Sequence, residues 1–202
     1  QKLGIPVSYS VGAKISFGDM GHYEPGSKYF IYECDEFDRN FLQFSPKISG
    51  ITTIDWDHHD IYPTREEYKE AFRQFISKSQ LSILFVKDAE YIELATSSSI
   101  TSLSEDDENL KKITLHGEHN RRNALVAAHM LQTISDASLD TIVEILNDFP
   151  GTQRRFEKIV ENIYSDYAHT PEEIAATLQL AKELNNTVVV VYEPLTNKRQ
   201  HF

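Results

Sequence analysis

Two short β-prone runs, each stopping abruptly at acidic residues, constrain this chain more than any other feature. Tyr29 to Tyr32 is followed by Glu33, Asp35 and Glu36, and Ile48 to Ile54 by Asp55, Asp57 and His58. Apolar runs of this length read as strands. If the two are parallel neighbours in one sheet, their acids meet outside the carboxyl ends of the strands, where open α/β sheets bind ligands. Several carboxylates and an imidazole there suit a hard divalent cation shared with phosphate, Mg2+ in the usual case. The plainer reading is a set of solvated loop acids.

Helical periods separate the runs. Thr64-Arg65-Glu66-Glu67 reads as a capping box, and Tyr68, Ala71, Phe72, Phe75 and Ile76 then fall on one helical face. Ser82 to Val86 is a further apolar strand, and Phe37 to Phe44 a short helix ended by Ser45-Pro46. Val7 to Phe17 suggests strands or a hairpin, and Gly21 to Lys28 a turn-rich loop. Thr96 to Lys112, rich in serine and acids, reads as the least ordered stretch. Asn120 to Thr133 and Leu139 to Asn147 are helices, with Ala124, Ala127, Ala128, Leu131 and then Ile142, Ile145, Leu146 facing inward. Pro150-Gly151 marks the best domain boundary, giving 1–147 and 148–202. Beyond it Asn162 to Asp166 is a strand, Thr170-Pro171-Glu172-Glu173 opens a helix, and Thr187 to Tyr192 (TVVVVY) reads as a parallel strand buried on both faces. The fold class is α/β, with a mostly parallel central sheet flanked by helices.

Composition narrows the function. A formal charge of −11 disfavours nucleic-acid or anionic-membrane surfaces. No apolar stretch approaches the roughly 20 residues of a membrane span, and no signal-peptide layout opens the chain. Cys34 is the single cysteine, so no internal disulfide can form, as suits a reducing cytoplasm. Beside two acids its thiol is expected to be inert. The chain starts at Gln1 in what reads as a helix tail and stops just after a strand, so it is expected to be part of a longer one.

Five segments carry a resemblance. Glu33-Cys34-Asp35-Glu36-Phe37-Asp38 and Thr52-Thr53-Ile54-Asp55-Trp56-Asp57-His58 resemble the E-A-D-E-x-D and T-N-x-x-x-D-H segments of the Mur ligases. Gly117-Glu118-His119-Asn120-Arg121-Arg122-Asn123-Ala124 is similar to that family's G-x-H-N-x-x-N-A adenine segment. Phe149 to Glu157 resembles F-x-G-x-x-R-R-F-E, and Asp166 to Ile174 resembles D-Y-G-H-H-P-T-E-I. Order and spacing match over nearly the whole chain.

The resemblance implies a central ATP-binding domain over 1–147 and the start of a Rossmann-like C-terminal domain over 148–202. It implies an ATP- and Mg2+-dependent ligase of peptidoglycan precursor synthesis, of the branch joining L-alanine to UDP-N-acetylmuramate through an acyl phosphate. Glu33 and His58 align with Mg2+ ligands, and Asp57 would orient the His58 imidazole. His119, Asn120 and Asn123 match the adenine segment, where an amide can donate and accept at once; Asn120 capping its helix is the simpler role. Arg154 and Arg155 would reach phosphates or sugar, because the planar guanidinium binds phosphate oxygens in pairs. Tyr167 and His169 align with the amino-acid pocket.

Two departures stand out. No G-x-x-x-x-G-K-[ST] phosphate loop occurs, so these 202 residues alone are expected to be inactive. Where the family has F-Q-P-H-R-Y-x-R, this chain has Tyr192 to Arg199, keeping Pro194 and Arg199 but replacing histidine and the first arginine by Leu195 and Thr196. Two other functions fit the same motifs: a ligase that recycles a preformed peptide onto the same nucleotide sugar, and a non-catalytic nucleotide-binding or scaffold protein.

Overall fold

The computed structural model describes residues 2–14, 18–95 and 97–193. They divide into two compact units: Cys34–Thr114 with Asn120–Asn147, and Gln1–Glu33 with Leu115–His119 and Asp148–Phe202.

The 34–147 unit is built on a parallel three-stranded sheet. Strand β4 (Ile48–Gly50) and strand β6 (Ile100–Leu103) flank β5 (Leu81–Phe85), each pairing with it in parallel. Four of the five β5 residues are buried, as the middle strand of a parallel sheet requires. Its one polar residue, Ser82, shares a 2.9 Å hydrogen bond with Ser49 of β4, which satisfies both buried hydroxyls.

Helix α1 (Arg65–Lys78) connects β4 to β5. Its predicted apolar face, Tyr68, Ala71, Phe72, Phe75 and Ile76, is buried throughout and joins Phe41, Ile51, Ile54, Tyr62, Leu84 and Ile92 in one core. Thr64 caps α1 by accepting from the Glu67 N–H. The box is only half made, because the Glu67 carboxylate takes the Thr64 hydroxyl. Phe37–Gln43 forms short 3-10 turns kinked at Asp38 and Arg39, whose φ angles are 52° and 58°.

Helix α2 (Val86–Tyr91) follows β5 without a loop. Helix α4 (Glu118–Gln132) buries Ala124, Leu125, Val126 and Ala128, and α5 (Leu139–Asn147) buries Ile142 and Val143. Gly50 is needed where β4 meets α4: a Cβ there would overlap Met130 Sδ and lie 2.9 Å from Val126 Cγ1. The stretch expected to be least ordered instead supplies β6 and α3 (Glu108–Lys112). Leu103 is buried and Asp107 caps α3 through the Asn109 N–H.

In the other unit, β1 (Val7–Ser10) pairs antiparallel with β2 (Gly21–His22) and parallel with β3 (Tyr29–Tyr32). The two acid-ended runs, β3 and β4, therefore lie in different sheets, contrary to the expectation that they are neighbours. β3 pairs with β1 and β4 with β5, each at the edge of its own sheet. Further on, β7 (Glu157–Val160) and β8 (Ile163–Ser165) form a hairpin, with Asn162 at φ 62° supplying the left-handed turn.

Helix α6 (Pro171–Leu184) opens with a complete capping box between Thr170 and Glu173. Thr187 to Tyr192 differs from its reading. It forms no strand in the described residues, and Val189 and Val191 are 88% and 97% exposed. A strand buried on both faces needs a paired neighbour, and among the described residues no strand pairs with this segment. The segment lines a cavity of about 480 Å³ with α6 and β8.

Candidate functional site

The chain beyond β3 turns at Glu33. Its N–H donates to Ser10 O at 2.9 Å and its exposed carboxylate accepts the Gly12 N–H at 2.7 Å. A Cβ on Gly12 would lie 3.3 Å from Glu33 Oε1, so glycine lets the backbone approach the carboxylate.

His58 belongs to the other unit, after β4, at φ 55°. Asp57 accepts the His58 backbone N–H at 2.6 Å, but Glu36 holds the ring: Glu36 Oε1 is 3.2 Å from His58 Nε2, and Asp57 Oδ2 is 3.8 Å away. The imidazole also meets the Phe37 ring edge at 5.1 Å. Glu36 in turn accepts the Tyr68 hydroxyl at 3.3 Å, while its carbonyl takes the Tyr62 hydroxyl at 2.7 Å.

Burial pushes the Glu36 carboxyl up, but bonds from His58, its own backbone and Tyr68, with the imidazole charge, outweigh that and leave it below its ordinary value. Burial pushes the Tyr62 phenol up to about 12 and raises Tyr68 further, helped by Glu36. From the sequence Glu36 stands only among the strand-end acids, without a link to His58. Its signal was available in the repeated acids of Glu33 to Glu36, of which one faces the core.

The chemistry of these donors suits Mg2+, a carboxylate oxygen and an imidazole being usable ligands for an ion that keeps waters and phosphate oxygens in its shell. Among the described residues no group of three or more His, Cys, Asp or Glu side chains is arranged to hold a metal.

The adenine-like segment opens α4. Because the helix starts at Glu118, Asn120 stands inside its first turn rather than at the cap. Gly117, at φ 84°, donates its N–H to Glu183 at 3.0 Å, and a Cβ there would lie 2.8 Å from Leu180 and 2.9 Å from the His119 ring. The left-handed backbone and the close packing both require glycine. Asn123 is exposed.

Two motifs distant in sequence are joined within the unit that contains Asp148–Phe202. Asp166 Oδ2 accepts the Phe156 N–H at 2.7 Å, and Oδ1 accepts the Ala168 N–H at 2.7 Å and the Thr177 hydroxyl at 3.1 Å. Arg154 and Phe156 have φ angles of 57° and 49°, a left-handed turn held by Asp166 and by Glu157, which accepts the Arg154 N–H. The turn presents Arg154 over the Tyr167 ring at 4.5 Å and Arg155 3.7 Å from Glu173. Glu173 also lies 3.3 Å from His169 Nδ1. Arg154, Arg155, Tyr167 and His169 are thus assembled, whereas Leu195, Thr196 and Arg199 lie outside the described residues.

Residues 15–112 match the Mur ligase middle domain. The chain belongs to the Mur ligase family. It is 33% identical over 196 residues to the UDP-N-acetylmuramate–L-alanine ligase of Christiangramia forsetii, covering 84% of this chain and 43% of that one. Against the ligase of the same name from Thermotoga neapolitana it is 32% identical over 206 residues, covering 87% and 45%.

Among solved structures, UDP-N-acetylmuramate–alanine ligase from Thermotoga maritima superimposes with a TM-score of 0.71 at 26% identity, covering 91% of this chain and 49% of that one. MurF from Acinetobacter baumannii shares the fold, with a TM-score of 0.61 at 18% identity over 88% of this chain and 48% of that one. The chain spans about half the length of the relatives it matches. The parallel sheet flanked by helices is the Mur ligase fold expected from the sequence.

Proposed function

We propose that this chain is part of an ATP-dependent ligase that joins L-alanine to UDP-N-acetylmuramate in the cytoplasm, for peptidoglycan synthesis. Residues 1–147 act as the central ATP-binding domain and 148–202 as the start of the amino-acid-binding domain. The observation that carries this reading is the Asp166 junction, which sets two arginines beside Tyr167 and His169 in one preorganised turn. The names of relatives at 32% and 33% identity support the substrate pair.

In this reading Glu33 and His58 would hold Mg2+, which when bound would supply positive charge against the phosphate oxygens. Glu36 and Asp57 fix the imidazole. His119, Asn120 and Asn123 bind adenine, and Arg155 the phosphates. Arg154, Tyr167 and His169 orient the muramyl carboxylate and the amine. That carboxylate takes the γ-phosphoryl group to give an acyl phosphate and ADP. The alanine amine then displaces phosphate and forms the amide. Positioning and charge neutralisation supply most of the rate in such transfers.

The test measures phosphate release that depends on ATP, Mg2+, UDP-N-acetylmuramate and L-alanine, using the product of the longest reading frame that contains these residues. Glu33→Ala and His58→Ala should each lower turnover about a hundredfold or more with unchanged melting; near-normal rates in both would refute the assignment. Residues 1–202 alone should show no turnover. Leu195 and Thr196 stand where the family has a histidine and an arginine, so either the alanine KM is high, by about ten- to a hundredfold for one lost charge-assisted bond, or Arg199 or Lys198 compensates. Under compensation by Arg199, Arg199→Ala should abolish alanine-dependent turnover and spare nucleotide binding.

A further inference from the structure

One buried carboxylate is used by none of these steps. Asp88 follows β5 on the first turn of α2 and is 7% exposed. Its Oδ1 accepts the Ile54 N–H at 3.2 Å and its Oδ2 pairs with Arg122 Nη2 at 3.3 Å. Arg122, on α4, lies over the Phe85 ring at 3.8 Å and reaches Glu105 at 3.4 Å. Glu105 in turn accepts the Lys87 N–H. One carboxylate thus ties together the end of β5, the chain leaving β4, and the helix that bears Asn120 and Asn123.

The Ile54 bond is placed where the chain needs it. The β4 ladder closes at Ile51, whose N–H donates to Ile83 O at 2.9 Å. His58 then begins a new set of backbone bonds, its carbonyl accepting from Ile61 and Tyr62. Between these points Ile54 puts its side chain into the core and its amide onto Asp88. A buried ion pair adds little stability compared with well-packed apolar side chains of the same volume. It does give the Ile54 amide a fixed acceptor, which Arg122 aims; burial pushes the Asp88 carboxyl up, and the Ile54 N–H and the Arg122 charge offset part of that. Asparagine fits poorly, since both oxygens face donors and an amide would turn its own N–H groups on one of them.

We infer that Asp88 is a positioning residue: by holding the Ile54 amide, with Arg122 locking it from α4, it fixes the Thr52–His58 loop and so the place of the His58 imidazole. The consequence for catalysis rests on the proposed role of His58; the positioning itself does not.

The test uses the 202-residue chain, with Mn2+ alone as probe, in Asp88→Ala, Asp88→Asn and the buried-core control Val143→Ala. In Asp88→Ala, exchange of the Ile54 amide should rise about tenfold or more relative to that of Ile51, and Mn2+ broadening of His58 resonances should need several times more metal. Asp88→Asn should fall between, and Val143→Ala should lower the melting temperature without moving either readout. Unchanged Ile54 exchange in Asp88→Ala, or an equal rise in the control, overturns the inference. If Mn2+ fails to broaden His58 in the parent chain, the metal reading falls while Ile54 exchange still decides the role of Asp88. If Asp88→Ala does not fold, Arg122→Gln is read in its place: faster Ile54 exchange supports the lock, and unchanged exchange overturns it.

Discussion

At the scale of single residues, environment decides what a side chain does. Cys34 sits half-buried next to Asp35, and burial first, then the neighbouring carboxylate, push its thiol up to about 11. The thiol is therefore neutral at pH 7 to 9, and its alkylation by iodoacetamide should stay slow until the pH approaches 11. A rate that titrates near the ordinary thiol value would contradict this. The linkage follows the same sign: the unfolded thiol ionises first, so stability from this group is present below pH 9 and is lost as pH rises from 9 to about 11. Gly50 answers to packing instead. Gly50→Ala should destabilise the chain by about 1–3 kcal/mol through overpacking, and Met130→Ala in the same chain should restore part of that in urea melts. An unchanged midpoint for Gly50→Ala would show that α4 yields freely.

At the scale of elements, two similar caps should behave differently. Thr64 caps α1, which buries five residues, whereas Thr170 caps α6, which buries Leu180 alone. Loss of an N-cap hydroxyl costs about 1 kcal/mol. In Thr64→Ala that loss should appear in the urea transition followed by Trp56 fluorescence. In Thr170→Ala it should appear as faster amide exchange over the first turn of α6, with that transition unmoved. A global shift from Thr170→Ala would mean that α6 is part of the main cooperative core. The α1 face was legible because its apolar residues recur at helical spacing. On α6 Leu180 is the buried residue, since close contact with Gly117 selects it, and helical spacing alone does not report that contact.

At the scale of the molecule, the core is unevenly shared. Of the described buried hydrophobic side chains, all but Leu180 belong to the Cys34–Thr114 and Asn120–Asn147 unit. Amide exchange should accordingly divide the chain: β4 to β6, α1 and α5 slow, and the β7–β8 hairpin with residues 187–193 fast. Strong protection of Thr187 to Tyr192 would refute that division and restore the strand read from its unbroken apolar run. That run names a β-prone segment without naming its neighbour, which is why the sequence reading placed it in a sheet.

Periodicity, caps and motif order were enough to reach the α/β class, the α1 core face, the Thr170 box and the family, because each depends on residues close together along the chain. The pairing of β3 and β4 was beyond them, as two strands of similar pattern compete for the same kind of edge and only the whole ladder settles the choice. The roles of Glu36, Asp88 and Asp166 were likewise beyond them. A carboxylate at a strand end reads as solvated until the structure shows which amide, hydroxyl or guanidinium, tens of residues away in places, has taken the place of water.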